Sequence, residues 1–213
     1  MTAVETASEL PEAGGDARAL AYELPAGRPT GHWGMYLFIT TEATLFACLL
    51  AANFYIRFST AGPWPPDGIE DPKLLKPLVM LGLLLTSSIP MIWGDLAIRK
   101  GHPTQLKIAV PTTMFLGLVF LAVQGSEYQE KLHEFTITTN AYGSLFLTIT
   151  SFHALHVITG LVMLTHTWIA ALRNKFTEGR HERVRMVSVY WHFVDIVWVA
   201  IVLCLYLSPH FRS

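Results

Sequence analysis

The sequence places a few ionisable side chains inside long apolar runs, where they are costly and can exchange protons. Glu42 is the clearest case, since it is the only acidic or basic residue in the interior of the run from 33 to 58. An acidic side chain near the centre of a membrane helix costs about 2.5–3.5 kcal/mol on insertion scales. Two interpretations fit it equally: a protonated glutamic acid hydrogen-bonded to a neighbouring helix, or a group in a proton relay of this chain or of a partner.

Histidines form the second set of candidates. His153 and His156 are three residues apart and share a face if the segment is helical. Imidazoles can bind a metal or haem iron, but one helix cannot supply ligands to both faces of a haem. His192 would then be needed as a partner on another helix. The pattern favours hydrogen bonding between helices over metal or haem binding.

His192 is also a neighbour of Asp195, three residues further on, in an aromatic run. A His–Asp hydrogen bond is therefore feasible within the helix or to an adjacent one. A belt of aromatic side chains at the membrane interface would explain Trp191 and Trp198. It does not explain Asp195, which lies about a third of the way into the apolar run.

Glu127 lies at the end of the third apolar run, where Gln124 and Tyr128 share its helical face. Together with Glu130 and Glu134 it makes the following segment acidic. We expect a solvated loop at this position rather than an ion-binding site.

These side chains must be positioned by helices that cross a membrane. Apolar residues make up 52% of the 213-residue chain and charged residues only 15%, against about a quarter charged in soluble domains. The apolar runs reach the roughly 20 residues that a helix needs to span the hydrocarbon core. The sequence predicts an all-α integral membrane bundle of five transmembrane helices, at about 33–58, 74–98, 105–128, 140–172 and 184–207, with a kink at Pro90.

The remaining segments predict little further structure. Residues 1–30 are acidic and have no apolar core, so we expect a disordered tail ahead of a five-helix domain at 31–213. Cys48 and Cys204 are far apart and belong to no Cys/His cluster, so no metal site is predicted. The net charge of −1 argues against nucleic acid as a partner.

The distribution of Lys and Arg predicts the orientation in the membrane. Ten of these residues lie in the tail and in the links 99–107 and 173–185, and five lie on the opposite side. Because basic residues favour the cytoplasmic side, the N-terminus is expected inside and the C-terminus outside.

Residue chemistry alone leaves three classes of protein open: an accessory subunit, a transporter and an intramembrane enzyme. A transporter built around Glu42 would be expected to show inverted repeats and broken helices. A b-type cytochrome would be expected to show well-separated pairs of histidines on two helices. The sequence displays neither pattern.

The order of the polar segments is more specific. Five of them resemble, in sequence order, the subunit III family of the haem–copper terminal oxidases, and the resemblance extends from about Trp33 to Leu207. The matching segments are 34–42 (GMYLFITTE), 62–69 (GPWPPDGI), 124–128 (QGSEY), 152–160 (FHALHVITG) and 190–198 (YWHFVDIVW). The resemblance implies the five-helix form found in bacteria, without the first two helices of the seven-helix members.

The resemblance also implies a role. Such a subunit has no redox centre of its own and is not itself catalytic. It packs against catalytic subunit I, with subunit II in the same complex, and these partners hold the haem and copper. It binds phospholipid in a cleft between two helix groups, stabilises the catalytic subunit and supports its proton uptake in the bacterial inner membrane.

The same resemblance assigns roles to individual residues. Glu42 matches the family's carbodiimide-reactive carboxylate, a group close to the catalytic subunit. His153, His156, His192, Asp195 and Glu127 are then expected to form a structural polar network, with no metal bound.

Two motifs favour a cytochrome c oxidase within this family. The Trp-Pro-Pro loop and the Ser-Glu-Tyr end of the third helix are both kept, whereas quinol-oxidase versions tend to differ at these points. Accessory subunits of a quinol oxidase or a nitric oxide reductase remain the alternatives, ahead of an independent transporter.

Overall fold

The computed structural model describes residues 30–60, 62–66, 69, 72–177 and 181–211. Five long helices follow one another in these ranges: α1 Thr30–Ser59, α2 Leu75–Arg99, α3 Pro103–Glu134, α4 Ala141–Leu172 and α5 Glu182–Ile201. All five are long and apolar enough to cross a membrane, and the described residues contain no β-strand. The predicted all-α class and the number of spans are confirmed, whereas the predicted disordered tail lies outside the described residues except for Thr30.

The helix boundaries agree with the sequence-based prediction to within three residues, except at the ends of α3 and α5. The predicted end of the third helix near 128 is wrong, because α3 continues to Glu134. Gln, Glu and Lys are good helix formers, so polarity marks where the chain leaves the apolar layer but not where the helix ends. Ion pairs to Glu130 from Lys76 (2.6 Å) and between Lys131 and Glu134 (2.7 Å) accompany this last stretch.

The end of α5 differs in another way. Residues 202–207, predicted as the last part of an α-helix, form a π-helix, and Ser208–Phe211 add a 3-10 turn. A π-helix takes its hydrogen bonds one residue further along than an α-helix, so it changes the face on which the following side chains lie. Sequence periodicity does not report this change.

A short turn joins α2 and α3 into a closely packed antiparallel pair. Gly101 has φ +76° in this turn, a backbone conformation that glycine adopts without a steric cost. A Cβ at Gly94 would lie only 2.7 Å from the Cβ of Ala109, so the missing side chain is what allows the two helices to approach. α2 continues through Pro90 from Leu75 to Arg99, and the kink expected there stays a prediction.

Burial increases across the bundle from α1 to α5. Only 6% of the most apolar part of α1 is buried, against 61% for the last span. α1 packs along one side against α4 and α5, and at its end Arg57 donates hydrogen bonds to the hydroxyl (2.5 Å) and carbonyl oxygen (3.1 Å) of Ser208. The described helices therefore form one group. The cleft between two helix groups that the resemblance implies stays a prediction.

Trp191 of α5 joins three helices at the centre of the bundle. Its ring is fully buried and its Nε1 donates to Ser87 Oγ of α2 at 2.9 Å. A Cβ placed at Gly117 of α3 or Gly160 of α4 would lie 2.8 or 2.9 Å from the ring. The two glycines thus form the space that the indole fills.

Candidate functional site

The first candidate site joins α1 to α4 through the intramembrane carboxylate. Glu42 Oε2 lies 2.9 Å from Nε2 of His156, although the two residues are 114 positions apart. The other ring nitrogen of His156, Nδ1, lies 2.7 Å from the carbonyl oxygen of Phe152. A carbonyl oxygen can only accept a hydrogen bond, so Nδ1 carries a proton.

This assignment limits the protonation states of the pair. With Nδ1 protonated, Nε2 either accepts a proton from a neutral carboxylic acid or, as part of an imidazolium, donates to a carboxylate. One proton is shared in both states, and the net charge of Glu42 with His156 is zero. The arrangement lowers the cost of placing an acid in a membrane helix, and it also allows a proton to pass between two atoms 2.9 Å apart.

The pair lies at the edge of the bundle rather than in its core. The side chains of Glu42 and His156 are 22% and 11% exposed. Phe46 packs edge-on against the imidazole with ring centroids 5.1 Å apart, and Tyr190 donates to the backbone carbonyl of His156 at 3.2 Å. One side of the pair is therefore held by the chain itself, and the carboxylate side remains reachable from outside.

His153 has a different environment from His156, although the two share a helix at a spacing of three. It is fully buried, stacks on Trp198 at 4.9 Å and contacts the edges of Phe120 and Phe46. These contacts surround the His153 ring with aromatic side chains, whereas the His156 ring contacts the Glu42 carboxylate. The two histidines therefore do not act as a pair.

His192 and Asp195 meet through a residue that sequence reasoning missed. Their closest atoms, Nδ1 and Oδ2, are 3.6 Å apart, too far for the predicted direct hydrogen bond. Ser88 of α2 lies between them: its hydroxyl is 2.9 Å from His192 Nδ1 and donates to Asp195 Oδ2. Since the hydroxyl has one proton, His192 must donate to it, and the three groups form a chain that fastens α5 to α2.

Glu127 corrects the expectation of a solvated acidic loop. It lies within α3 and is only 2% exposed, with its Oε2 3.7 Å from the ammonium group of Lys76 on α2. The same ammonium group contacts Glu130 at 2.6 Å. The expectation fails because Glu127 faces α2 across the closely packed α2–α3 pair, and a lysine there compensates the buried carboxylate.

The structure does not bring the predicted polar residues into one network. It divides them among the Glu42–His156 pair, the Ser88-centred chain, the Lys76–Glu127 ion pair and the separate His153. A haem or metal site would require His156 and His192 as ligands. In the structure His156 is hydrogen-bonded to Glu42 and His192 to Ser88. Within the described ranges, no three His, Cys, Asp or Glu side chains are grouped closely enough to hold a metal ion.

Sequence reasoning missed Ser87, Ser88 and the two glycines around Trp191. A signal was present for the serines, since Thr86, Ser87 and Ser88 together interrupt the apolar middle of α2. The glycines had no comparable signal because glycine is common in membrane helices. Among the described glycines, Gly117 and Gly160 are distinguished by their contact with the indole.

Most of the chain is similar to one family of known proteins. Residues 25–209 match the family described as cytochrome c oxidase subunit III. The probable cytochrome c oxidase subunit 3 of Nocardia farcinica is 38% identical over 175 residues, which cover 81% of this chain and 85% of that protein. The cytochrome c oxidase subunit 3 proteins of Homo sapiens and Gallus gallus are 37% and 36% identical over 179 residues, covering 82% of this chain and 68% of each relative.

Proposed function

Because this chain belongs to the cytochrome c oxidase subunit III family, we propose that it is the non-redox accessory subunit of a cytochrome c oxidase in a bacterial inner membrane. It is a multi-pass membrane protein and a subunit III of a haem–copper oxidase. Its partners are the catalytic subunit I, which holds haem and copper, and subunit II. Its part is to stabilise subunit I and to support proton uptake there.

The Glu42–His156 pair is the observation that best supports an accessory role. A carboxylate and an imidazole that share one proton form a site without net charge, stable at the edge of a bundle inside the membrane. The pair is partly exposed on the least buried side of the chain. We place subunit I against α1, so that the carboxylate lies at the interface and not in open lipid.

Phospholipid is the proposed ligand of the faces that no subunit covers. α2 exposes large apolar side chains, Leu85 and Ile89 among them, and α3 exposes Phe115 and Leu118. Acyl chains match such surfaces, and the basic residues of the links 99–107 and 173–185 offer partners for acidic headgroups. These lipids would lie along the outward faces of the helices.

Purification of the intact complex tests the identity of the partners. A tag on this chain should recover subunits I and II in mild detergent, with the absorbance of a-type haem and the signal of dinuclear copper. Recovery with b- or o-type haem and no such copper would replace cytochrome c oxidase by a quinol oxidase or a nitric oxide reductase. Recovery of the chain alone, with proton flux in liposomes, would support a transporter instead.

Variants of Glu42 test the role of the pair. Glu42→Leu removes the hydrogen bond to His156, and we expect lower retention of this subunit in the complex and faster loss of activity during turnover. Glu42→Gln can still donate to Nε2 and should preserve assembly while slowing proton uptake. Thr41→Val is the matched control, because among the described residues the Thr41 hydroxyl bonds only to the carbonyl of Phe38 in its own helix. Equal retention and turnover in Glu42→Leu and Thr41→Val would contradict the proposal.

A further inference from the structure

A group of buried polar atoms lies between α3, α4 and the end of α5 without hydrogen-bond partners among the described residues. Both amide atoms of Gln124 and both ring nitrogens of His153 belong to it. So do the indole nitrogen of Trp198, the hydroxyl of Tyr206 and Oε1 of Glu127. Seven unsatisfied atoms thus belong to five side chains, each of them at most 2% exposed.

These side chains are neighbours in space. His153 stacks on Trp198 with ring centroids 4.9 Å apart, and Phe120 contacts both rings at 5.7 and 5.1 Å. Gln124 follows Phe120 by one helical turn on the same face of α3, and Glu127 follows Gln124 by another. The polar atoms therefore lie along one seam that begins at His153 and extends toward the Lys76–Glu127 ion pair.

The π-helix brings Tyr206 to the same seam. In a regular α-helix eight residues end about 80° away from the starting face, so Tyr206 would diverge from Trp198. The wider turn of residues 202–207 reduces this offset. The rings of Trp198 and Tyr206 lie 6.3 Å apart, and Phe146 packs against Tyr206 at 5.3 Å.

The environment leaves few possible ligands. No partner subunit or lipid can reach atoms this deeply buried inside the bundle, and a buried polar group without a partner is strongly destabilising. Proteins meet this need with internal water, about one molecule per 27 residues, each bonded to two to four polar groups. We propose that the seam between α3, α4 and α5 is a binding site for a small cluster of internal water, held by Gln124, His153, Trp198 and Tyr206.

The water site is distinct from the pair proposed to serve the oxidase. Glu42 and His156 already satisfy each other, whereas both ring nitrogens of His153 have no partner among the described residues. Phe46 packs against both imidazoles, with ring centroids 5.1 Å from His156 and 6.3 Å from His153. Water bound there completes the interior of the bundle and makes His153 part of a polar chain that leads to Glu127.

A map of the intact oxidase at a resolution that shows ordered water is the direct test. We expect at least one water peak within hydrogen-bonding distance of the Gln124 amide, with a second contact to His153, Trp198 or Tyr206. The proposal is overturned if these side chains are ordered and no peak lies between them. It is overturned equally if they pair with one another in a different rotamer.

Variants provide a second test in the assembled complex, read as the midpoint temperature of subunit release. If water satisfies these atoms, Gln124→Leu and Tyr206→Phe each lower the midpoint, and the double variant loses less than the sum because both disrupt one cluster. If the atoms are unsatisfied, an apolar replacement removes a penalty and raises the midpoint. A rise in either single variant, or strict additivity, would refute the shared site.

Thr112→Val is the matched control for these variants. Thr112 lies on the outward face of α3, and within the part of the chain that the structure describes its hydroxyl bonds only to the carbonyl of Ile108 in the same helix. The substitution also replaces a polar side chain by an apolar one in α3, but it does not touch the seam. We expect an unchanged midpoint.

Discussion

Adding one methyl group at Gly160 should loosen the centre of the bundle. In the Gly160→Ala variant the new Cβ would lie 2.9 and 3.0 Å from two carbons of the Trp191 ring, whereas carbon atoms in favourable contact are about 3.5–4.0 Å apart. The ring must therefore move by several tenths of an ångström. Gly117 limits that movement on another edge, where a Cβ would meet the ring at 2.8 Å.

The size of the effect follows from these contacts. Overpacking of a well-filled core costs about 1–3 kcal/mol. Moving the ring also weakens the hydrogen bond from Trp191 to Ser87, worth about 0.5–1.5 kcal/mol, while alanine regains up to about 1 kcal/mol of helix propensity. We expect a net loss of about 2 kcal/mol, which for a chain of this size lowers a melting midpoint by roughly 4–8 °C.

The assay is thermal release of this subunit from the purified complex, with Gly125→Ala as the matched control. Gly125 is also within a membrane helix, but a Cβ there would meet no atom within 4 Å, so its midpoint should not fall. Replacing Trp191 by Leu in the Gly160→Ala background should cost less than it does alone. If the Gly160→Ala and Gly125→Ala variants have the same midpoint temperature, the indole does not fill the space between Gly117 and Gly160.

Three further predictions concern charged groups and orientation. Asp195→Ala leaves the Ser88-centred chain without its acceptor and should impair assembly, whereas Asp195→Asn should retain most of it; full recovery of complex with the alanine variant, measured on native gels, would be evidence against a bracing role. Lys76→Met removes the ammonium group that lies 3.7 Å from the buried carboxylate of Glu127 and should cost about 1–3 kcal/mol of stability, most of it restored in the double variant with Glu127→Gln; a thermal melt that finds the two losses additive would contradict this pairing. Impermeant thiol labelling of intact cells should modify Thr138→Cys, in the link after α3, but not His102→Cys, in the link after α2, if the N-terminus is inside; the opposite labelling would reverse the orientation.

Much of the architecture could be predicted from apolar length alone. A run of more than twenty apolar residues has one stable arrangement in a bilayer, since a helix satisfies its own backbone hydrogen bonds there. That constraint is local, so the five helices and most of their boundaries could be predicted without tertiary information. Prediction from apolar length was wrong at 128–134, where the helix continues after the apolar run has ended. It was also wrong at 202–207, where the hydrogen-bond register changes without a signal in residue type.

Only part of the candidate site could be predicted from the sequence. The cost of an acid in lipid marked Glu42 as a residue that needs a partner, and the same argument marked Asp195. Neither partner could be chosen from sequence, because His156 is 114 residues from Glu42 and Ser88 is 107 from Asp195. The spacing of the histidines suggested a common role, and the packing of the helices divided them.

Residue types and their order are enough to predict that this chain is a membrane protein, how many times it crosses the bilayer, and which side chains need a partner there. Each of these predictions follows from the free energy of moving one residue type into hydrocarbon. The packing of the helices determines which polar groups come into contact. It paired Glu42 with His156 in a site without net charge, placed Ser88 between His192 and Asp195, and enclosed Trp191 between Gly117 and Gly160. Those choices depend on how helices distant in sequence rotate and approach each other, which no single segment encodes.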